Sequence, residues 1–221
     1  MIESREFILL HTRLQSPARV PELRLRLADE VTPLWRLTEE EALPFWAFAW
    51  AGGQALARYV LDNPQEVAGK TVLDVATGSG LCALAALKAG ASSTLAADVD
   101  RLSAVAVALN AAANRLAVTF TPRNLLDSEP PAVDVILAGD CCYERGLAEL
   151  VLAWLERAHA QGRRVLIGDP GREYFPAGRL VRLATYEVPT SRELEDADAK
   201  LAGVFTFPPS AGVRHSSRQR S

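Results

Sequence analysis

The chain has 221 residues, 49% hydrophobic and 23% charged, with a formal net charge of −3. That length accommodates one domain with a sizeable core, and the acidic balance excludes a general nucleic-acid binder, which needs a clustered positive surface to neutralise phosphates. The 3 cysteines (Cys82, Cys141, Cys142) and 3 histidines (His11, His159, His215) are too few and too scattered for a zinc site, so no metal is expected.

The opening MIESREFILLHTRLQS has a short apolar patch without a cationic leader region or cleavage site, and no later run reaches the ~20 apolar residues of a membrane span. Adjacent Cys141 and Cys142 cannot bridge without strain. The expectation is therefore a reducing, cytoplasmic setting, with neither export nor membrane insertion. Residues 1–43 carry no clear α/β pattern and are taken as an N-terminal extension or cap. The aromatic segment PFWAFAW (44–50) then leads into WAGGQALARYVLDNP (50–64), a helix ended near Pro64.

From Lys70 onward, short apolar runs alternate with Ala/Leu-rich helical patterns. Strands are predicted at 71–76, 93–98, 117–121, 133–139 and 163–169, and helices at 80–90, 101–116 and 146–162. LATYEVPT and LAGVFTF, separated by the charged SRELEDADAK, form two closing strands, an antiparallel hairpin at one side of the sheet. The fold class is α/β: a Rossmann-like, doubly wound, seven-stranded and mostly parallel sheet with helices on both faces. The main domain spans 44–209. Residues 210–221, polar and rich in Ser and Arg, form a tail expected to be disordered.

The segment VLDVATGSGLCALAA (72–86) runs strand, glycine turn, helix, the context in which a glycine loop binds a ligand. Thr77, Gly78 and Gly80 make the turn, and the following helix presents free N–H groups. GSGLCA also fits the dinucleotide pattern, so an NAD-linked oxidoreductase competes. Two acids separate the readings. Asp98 ends the next strand, where a carboxylate accepts both ribose hydroxyls. Asp74, ahead of the glycines, suits a cationic ligand better than a pyrophosphate. S-adenosylmethionine supplies cations and a ribose together, and no paired second nucleotide-binding half is visible.

VLDVATGSG followed by AADVD resembles motif I and the second-strand acid of the seven-strand, Rossmann-like methyltransferases. Over about Pro21 to Phe207, LPFWAFAWAGGQALARYVLDNP, LNAAANRL, GDCCY and VLIGDPGREYF are similar in order and spacing to the protein-lysine methyltransferases that act on the β subunit of electron-transfer flavoprotein. Their bacterial relatives, labelled nicotinamide N-methylase-like, share the pattern. The resemblance implies an S-adenosylmethionine-dependent protein-lysine N-methyltransferase. Its substrate would be the electron-transfer flavoprotein β subunit, with a ribosomal protein or a small-molecule amine as alternatives.

The same resemblance implies residue roles. Trp50 packs against the cofactor, where a ring face also suits a sulfonium, whereas Trp46 and Phe48 are assigned to the core. Asn124 lies near the adenine edge, and Gly139 ends the fourth strand at the switch point. Asp140 and Tyr143 match the D-x-x-Y signature: Asp140 would capture the substrate ammonium and orient the amine once a proton has left to water, and Tyr143 would complete an aromatic channel. An attacking lysine must offer a neutral amine despite a free pKa near ~10.4, and a carboxylate does not lower that value, so most of the acceleration would be alignment. Asp169 is expected on the substrate side beside Asp140. Arg172 either binds an acidic group of the substrate or ties its loop down by an internal ion pair. The acidic ELEDAD (193–198) is read as a solvated loop that can recruit a lysine-rich segment, and Cys141 and Cys142 as packing or rim thiols.

Overall fold

The computed structural model describes residues 4–29 and 44–209. Within the N-terminal extension, the helix α1 (Ser4–His11) is followed by two short antiparallel strands, β1 (Arg13–Gln15) and β2 (Leu25–Leu27), in a sheet of their own. Strands of 3 residues are too short to leave a period-2 signal, which is why no pattern is visible in this part of the sequence. The boundary at 43/44 adjoins residues 30–43, and both those residues and the tail 210–221 lie outside the described residues.

The main domain continues with α2 (Ala51–Asp62), β3 (Thr71–Val75), α3 (Leu81–Lys88), β4 (Ser93–Ala97), α4 (Arg101–Asn114), β5 (Thr119–Thr121), β6 (Val135–Gly139), α5 (Arg145–Ala160), β7 (Arg164–Asp169), β8 (Val181–Pro189), α6 (Arg192–Glu195) and β9 (Ala199–Thr206). The 7-stranded sheet has the order β5-β4-β3-β6-β7-β9-β8. The five strands β5, β4, β3, β6 and β7 are parallel, while β9 runs antiparallel to both β7 and β8. The order reverses between β3 and β6, and this switch point is where α/β sheets open a crevice at the carboxyl ends of their strands.

Strand periodicity divides the core. Val72, Val135, Leu137 and Leu166 meet α2 and α3 on one face, while Leu73, Val75, Ile136, Ala138, Val165 and Ile167 meet α5 on the other. The covering is unequal. The connections 122–134 and 170–180 contain only single 3₁₀ turns, so α5 and the side chains of Leu125, Leu126, Phe175 and Phe205 close the second face without further helices.

Helix α2 approaches the strands unusually closely. A Cβ on Gly168 would fall 2.2 Å from the Gly52 carbonyl oxygen, one on Gly52 would fall 2.5 Å from the Gly168 oxygen, and one on Gly139 would fall 3.0 Å from Gly53 Cα. Glycine at these places lets the first turn of α2 rest directly on the ends of β6 and β7. That seating delivers its free N–H groups to the crevice.

Candidate active site

A cleft of about 500 Å³ opens along the carboxyl ends of β3, β4 and β6. It is lined, among others, by Trp50, Asp74, Thr77, Gly78, Asp98, Asn124, Gly139, Asp140 and Tyr143. Of the residues singled out from sequence, Gly80, Asp169 and Arg172 lie outside this lining.

The chain leaves β3 through left-handed Ala76, Gly78 and Gly80, with φ of 52°, 50° and 83°. Such alternation curls the loop so that successive N–H groups turn the same way. Asp74, 2% exposed, accepts hydrogen bonds from the Thr77 hydroxyl and, at 3.0 Å, from the Ala83 N–H. Burial pushes its carboxyl up to about 7, with Asp98 adding to the rise. Asp74 thus braces the loop from behind. Its Oδ2 serves two donors of the chain itself, while the residue still lines the cleft. Gly80 sits where its missing Cβ gives room to Val107.

Asp98 receives the Gly78 N–H on Oδ2 at 2.8 Å and the Asp100 N–H on Oδ1 at 3.0 Å. A carboxylate has about four acceptor sites, so each oxygen retains capacity for a diol in the cleft. Asn124 caps the turn Leu125–Asp127, accepting from Leu126 N–H and donating to Asp127, so its amide is committed locally while its flank lines the cleft.

The cleft mouth is aromatic. Trp50 donates its indole N–H to the Phe45 carbonyl at 3.1 Å, and the Phe45 ring lies 5.4 Å from Trp50 and 4.7 Å from Tyr143. Trp46 is fully buried and Phe48 nearly so, as assigned, while Tyr143 remains 45% exposed.

Below the mouth lies a buried ionic cluster. Asp140, held at φ 55°, accepts the Gly53 N–H on Oδ2 at 2.6 Å and the Arg172 guanidinium on Oδ1 at 2.8 Å. Burial raises its carboxyl above the ordinary value, with Arg172 and the N–H of Gly53 pulling the other way. The same Arg172 Nη2 donates to Glu195 Oε1 at 3.2 Å, and its guanidinium lies 5.7 Å from the Trp50 ring. Of the two roles open for Arg172, the structure shows the internal ion pair, made through Nη2. Asp169 is nearly fully buried and accepts the Gly171 and Arg172 N–H groups on Oδ1, which shapes the turn after β7. Burial and Asp140 push it up to about 6. It stands beside Asp140 electrostatically but faces its own turn. A second hollow, outside the cleft, is shared by Tyr143, Gly171, Arg172, Glu173, Glu195 and Lys200.

Cys141 and Cys142 are buried free thiols in the core against α5, and burial keeps both well above a reactive range. Sequence reading missed Glu195, which belongs to this cluster and not to a solvated loop; Phe45, the centre of the aromatic mouth; and Asn110, which donates to the Ser79 carbonyl at 2.8 Å and holds the glycine loop from α4. The Gly52–Gly53 pair inside a helical pattern was the one available signal, since such glycines mark close approach.

This arrangement fits S-adenosylmethionine: a carboxylate with spare acceptor capacity at Asp98, a strained glycine loop, and an aromatic mouth suited to a sulfonium. Comparison with known proteins points the same way. A family model for ribosomal protein L11 methyltransferase (PrmA) matches residues 54–142. The electron transfer flavoprotein beta subunit lysine methyltransferase of Xenopus laevis is 40% identical over 214 residues, covering 93% of this chain and 87% of that protein. Its Homo sapiens counterpart is 37% identical, covering 94% and 83%. Among solved structures, the magnesium protoporphyrin IX methyltransferase of Synechocystis PCC 6803, with bound SAH, shares the fold at a TM-score of 0.51 and 12% identity, over 71% of this chain and 82% of that one.

Proposed function

This chain belongs to the electron transfer flavoprotein beta subunit lysine methyltransferases, and from that premise we propose that it methylates lysine in the electron-transfer flavoprotein β subunit, with Asp140 as the acceptor for the incoming ammonium. The chain is an S-adenosylmethionine-dependent methyltransferase, and its substrate is a lysine-containing protein. S-adenosylmethionine, when bound, supplies an electrophilic methyl group on a sulfonium.

In this reading Asp98 and Gly78 hold the nucleoside end, with Asn124 and Gly139 on the walls, and Trp50 presents its ring toward the sulfonium end. Asp140 carries the proposal. It is a carboxylate at the floor of an aromatic mouth, fixed by the helix N–H of Gly53 and by Arg172, and therefore held in one orientation. Its negative charge attracts the lysine ammonium. After the ammonium has lost a proton to water, the same oxygen accepts from the neutral amine and directs its lone pair. Tyr143, backed by Phe45, narrows the approach to a single file. The chain's part in the acceleration is alignment of the amine with the methyl group.

The observation favouring this substrate is a likeness that spans nearly the whole chain and most of the relatives' length. A ribosomal protein is the second reading, favoured by the family-model match at 54–142, but the L11 methyltransferase of Geobacillus kaustophilus (strain HTA426) is covered over only 41% of its length. A cytoplasmic setting belongs to the same proposal and is supported by three free thiols. Recombinant electron-transfer flavoprotein, ribosomal protein and a small-molecule amine, each incubated with the enzyme and methyl-labelled cofactor and analysed by mass spectrometry, should show label on β-subunit lysine. Label on ribosomal protein alone would transfer the assignment to that substrate, and label only on a small molecule would refute both.

A further inference from the structure

The connection between β8 and β9 reaches across the sheet edge to the first turn of α2. Its short helix α6 ends in Glu195, which is 5% exposed and 144 residues from its partner, accepting the Ala51 N–H on Oε1 at 3.3 Å. The same oxygen accepts from Arg172 Nη2 at 3.2 Å, and that nitrogen also donates to Asp140 Oδ1 at 2.8 Å. Asp140 in turn takes the Gly53 N–H at 2.6 Å. One guanidinium nitrogen is thus divided between two carboxylates, and both carboxylates are anchored on one helix N-terminus.

The cluster has an unequal charge count. Two carboxylates face one guanidinium, and the positive end of α2 offsets only about half a charge. Lys200 on β9 also acts on Glu195, more weakly than Arg172 does, and lies with it in the second hollow. Buried negative charge without a matching cation is costly, and it is tolerable where a cation is due to arrive. Asp140 is the member of the pair that lines the cleft. If Arg172 faced Asp140 alone, the two would neutralise each other and leave little attraction for an ammonium.

We propose that Glu195 is a positioning residue for methyl transfer, drawing part of Arg172 away from Asp140 so that the Asp140 carboxylate keeps negative charge for the substrate ammonium. This rests on the reading of Asp140 given above.

Glu195→Gln in the full chain tests it, because the amide oxygen still accepts from Ala51 and Arg172 while the charge is gone. With the electron-transfer flavoprotein β subunit as substrate, KM should rise about tenfold while kcat stays within about threefold. S-adenosylhomocysteine affinity, by calorimetry, and the melting temperature should remain close to wild type. An unchanged KM overturns the proposal, as does a joint fall in cofactor-product affinity and melting temperature, which would make Glu195 a packing residue only. Asp140→Asn in the same assay separates the layers. If it transfers at the wild-type rate, the reading of Asp140 fails and Glu195 loses its role with it; if it is inert while Glu195→Gln behaves as wild type, only the Glu195 inference falls.

A substrate-free measurement tests the coupling that the inference requires even if the wild type labels no β subunit. The groups acting on Asp140 are Arg172, Glu195, Asp169, Cys82, Cys141 and Cys142. Of these, the substitution removes only the Glu195 charge. The Asp140 carboxyl-carbon resonance, assigned by its loss in Asp140→Asn, should titrate at lower pH in Glu195→Gln. An unmoved titration overturns the inference.

Discussion

Asp140 occupies the left-handed region at φ 55°, where a non-glycine residue is uncommon and Asn or Asp is the tolerated choice. Alanine there would strain the backbone and leave both Arg172 and the Gly53 N–H without their acceptor, mixing a folding defect with a catalytic one. Asn is the informative substitution: it should retain S-adenosylhomocysteine binding and lose transfer by at least about a hundredfold, measured by calorimetry and single-turnover labelling. Asp98→Ala should do the opposite first, since it removes the acceptor for the Gly78 N–H as well as for a diol. Loss of charged hydrogen bonds worth about 1.5–3 kcal/mol each predicts at least a hundredfold weaker binding of S-adenosylhomocysteine. Asp74 gives a prediction in pH. Its folded value is about 7 and that of Asp169 about 6, against ~3.9 in an unfolded chain. The folded state holds these protons more tightly, so their stabilising effect is complete below ~4 and declines as pH rises to about 7. The ligand-free protein should melt lower at pH 8 than at pH 5.5. Asp74→Asn, which keeps an oxygen for Thr77 and Ala83 but no charge, should remove most of that decline; a wild-type melting temperature that is flat or rising over this interval would contradict the assignment.

At the scale of elements, the seating of α2 against β6 and β7 links packing to chemistry. Gly168→Ala would drive a methyl into the Gly52 carbonyl and Leu56, and overpacking of this kind costs about 1–3 kcal/mol or more. Because Gly53 N–H and Trp50 ride on the same turn, activity should fall together with the melting temperature. Gly178→Ala, with nothing within 4 Å of the new methyl, is the control and should change neither. The βα succession from β3 to β7 was legible because buried parallel strands read as apolar runs and their helices as Ala/Leu stretches. The glycine loop, Asp98, Asp140 and Tyr143 were legible because their meaning is carried by neighbours in sequence. Glu195 was not: ELEDAD has the composition of a solvated loop, and only the hairpin β8–β9 brings its third position under α2. The connections 122–134 and 170–180 hold only single 3₁₀ turns. Leu125, Leu126 and Phe175 fill the second face from irregular chain, where no periodicity announces burial.

Across the whole molecule, the N-terminal hairpin and the cofactor loop are joined through one side chain. Asn110, fully buried in α4, accepts the Arg26 N–H from β2 at 2.7 Å and donates to the Ser79 carbonyl at 2.8 Å. Four residues on, Asn114 accepts from Arg24 N–H at 2.9 Å and donates to Arg24 carbonyl at 2.7 Å, touching the hairpin but not the loop. The two positions therefore share a mechanical role toward the extension and differ in their reach toward the cleft. Asn110→Leu preserves size but leaves two backbone groups unpaired at about 1–3 kcal/mol each, which for a chain of this length lowers the melting temperature by roughly 2–4 °C per kcal/mol. It should also weaken S-adenosylhomocysteine binding several-fold, because the Ser79 carbonyl no longer fixes the curl that aims Gly78 at Asp98. Asn114→Leu should lower the melting temperature while leaving that affinity unchanged. Equal effects of both substitutions on affinity would mean that the extension supports the cleft as a whole and that Asn110 has no special hold on the loop. A loss of affinity confined to Asn110→Leu would show that α4 carries the alignment of the cofactor loop, with the N-terminal hairpin completing the hydrogen bonds that keep Asn110 in place.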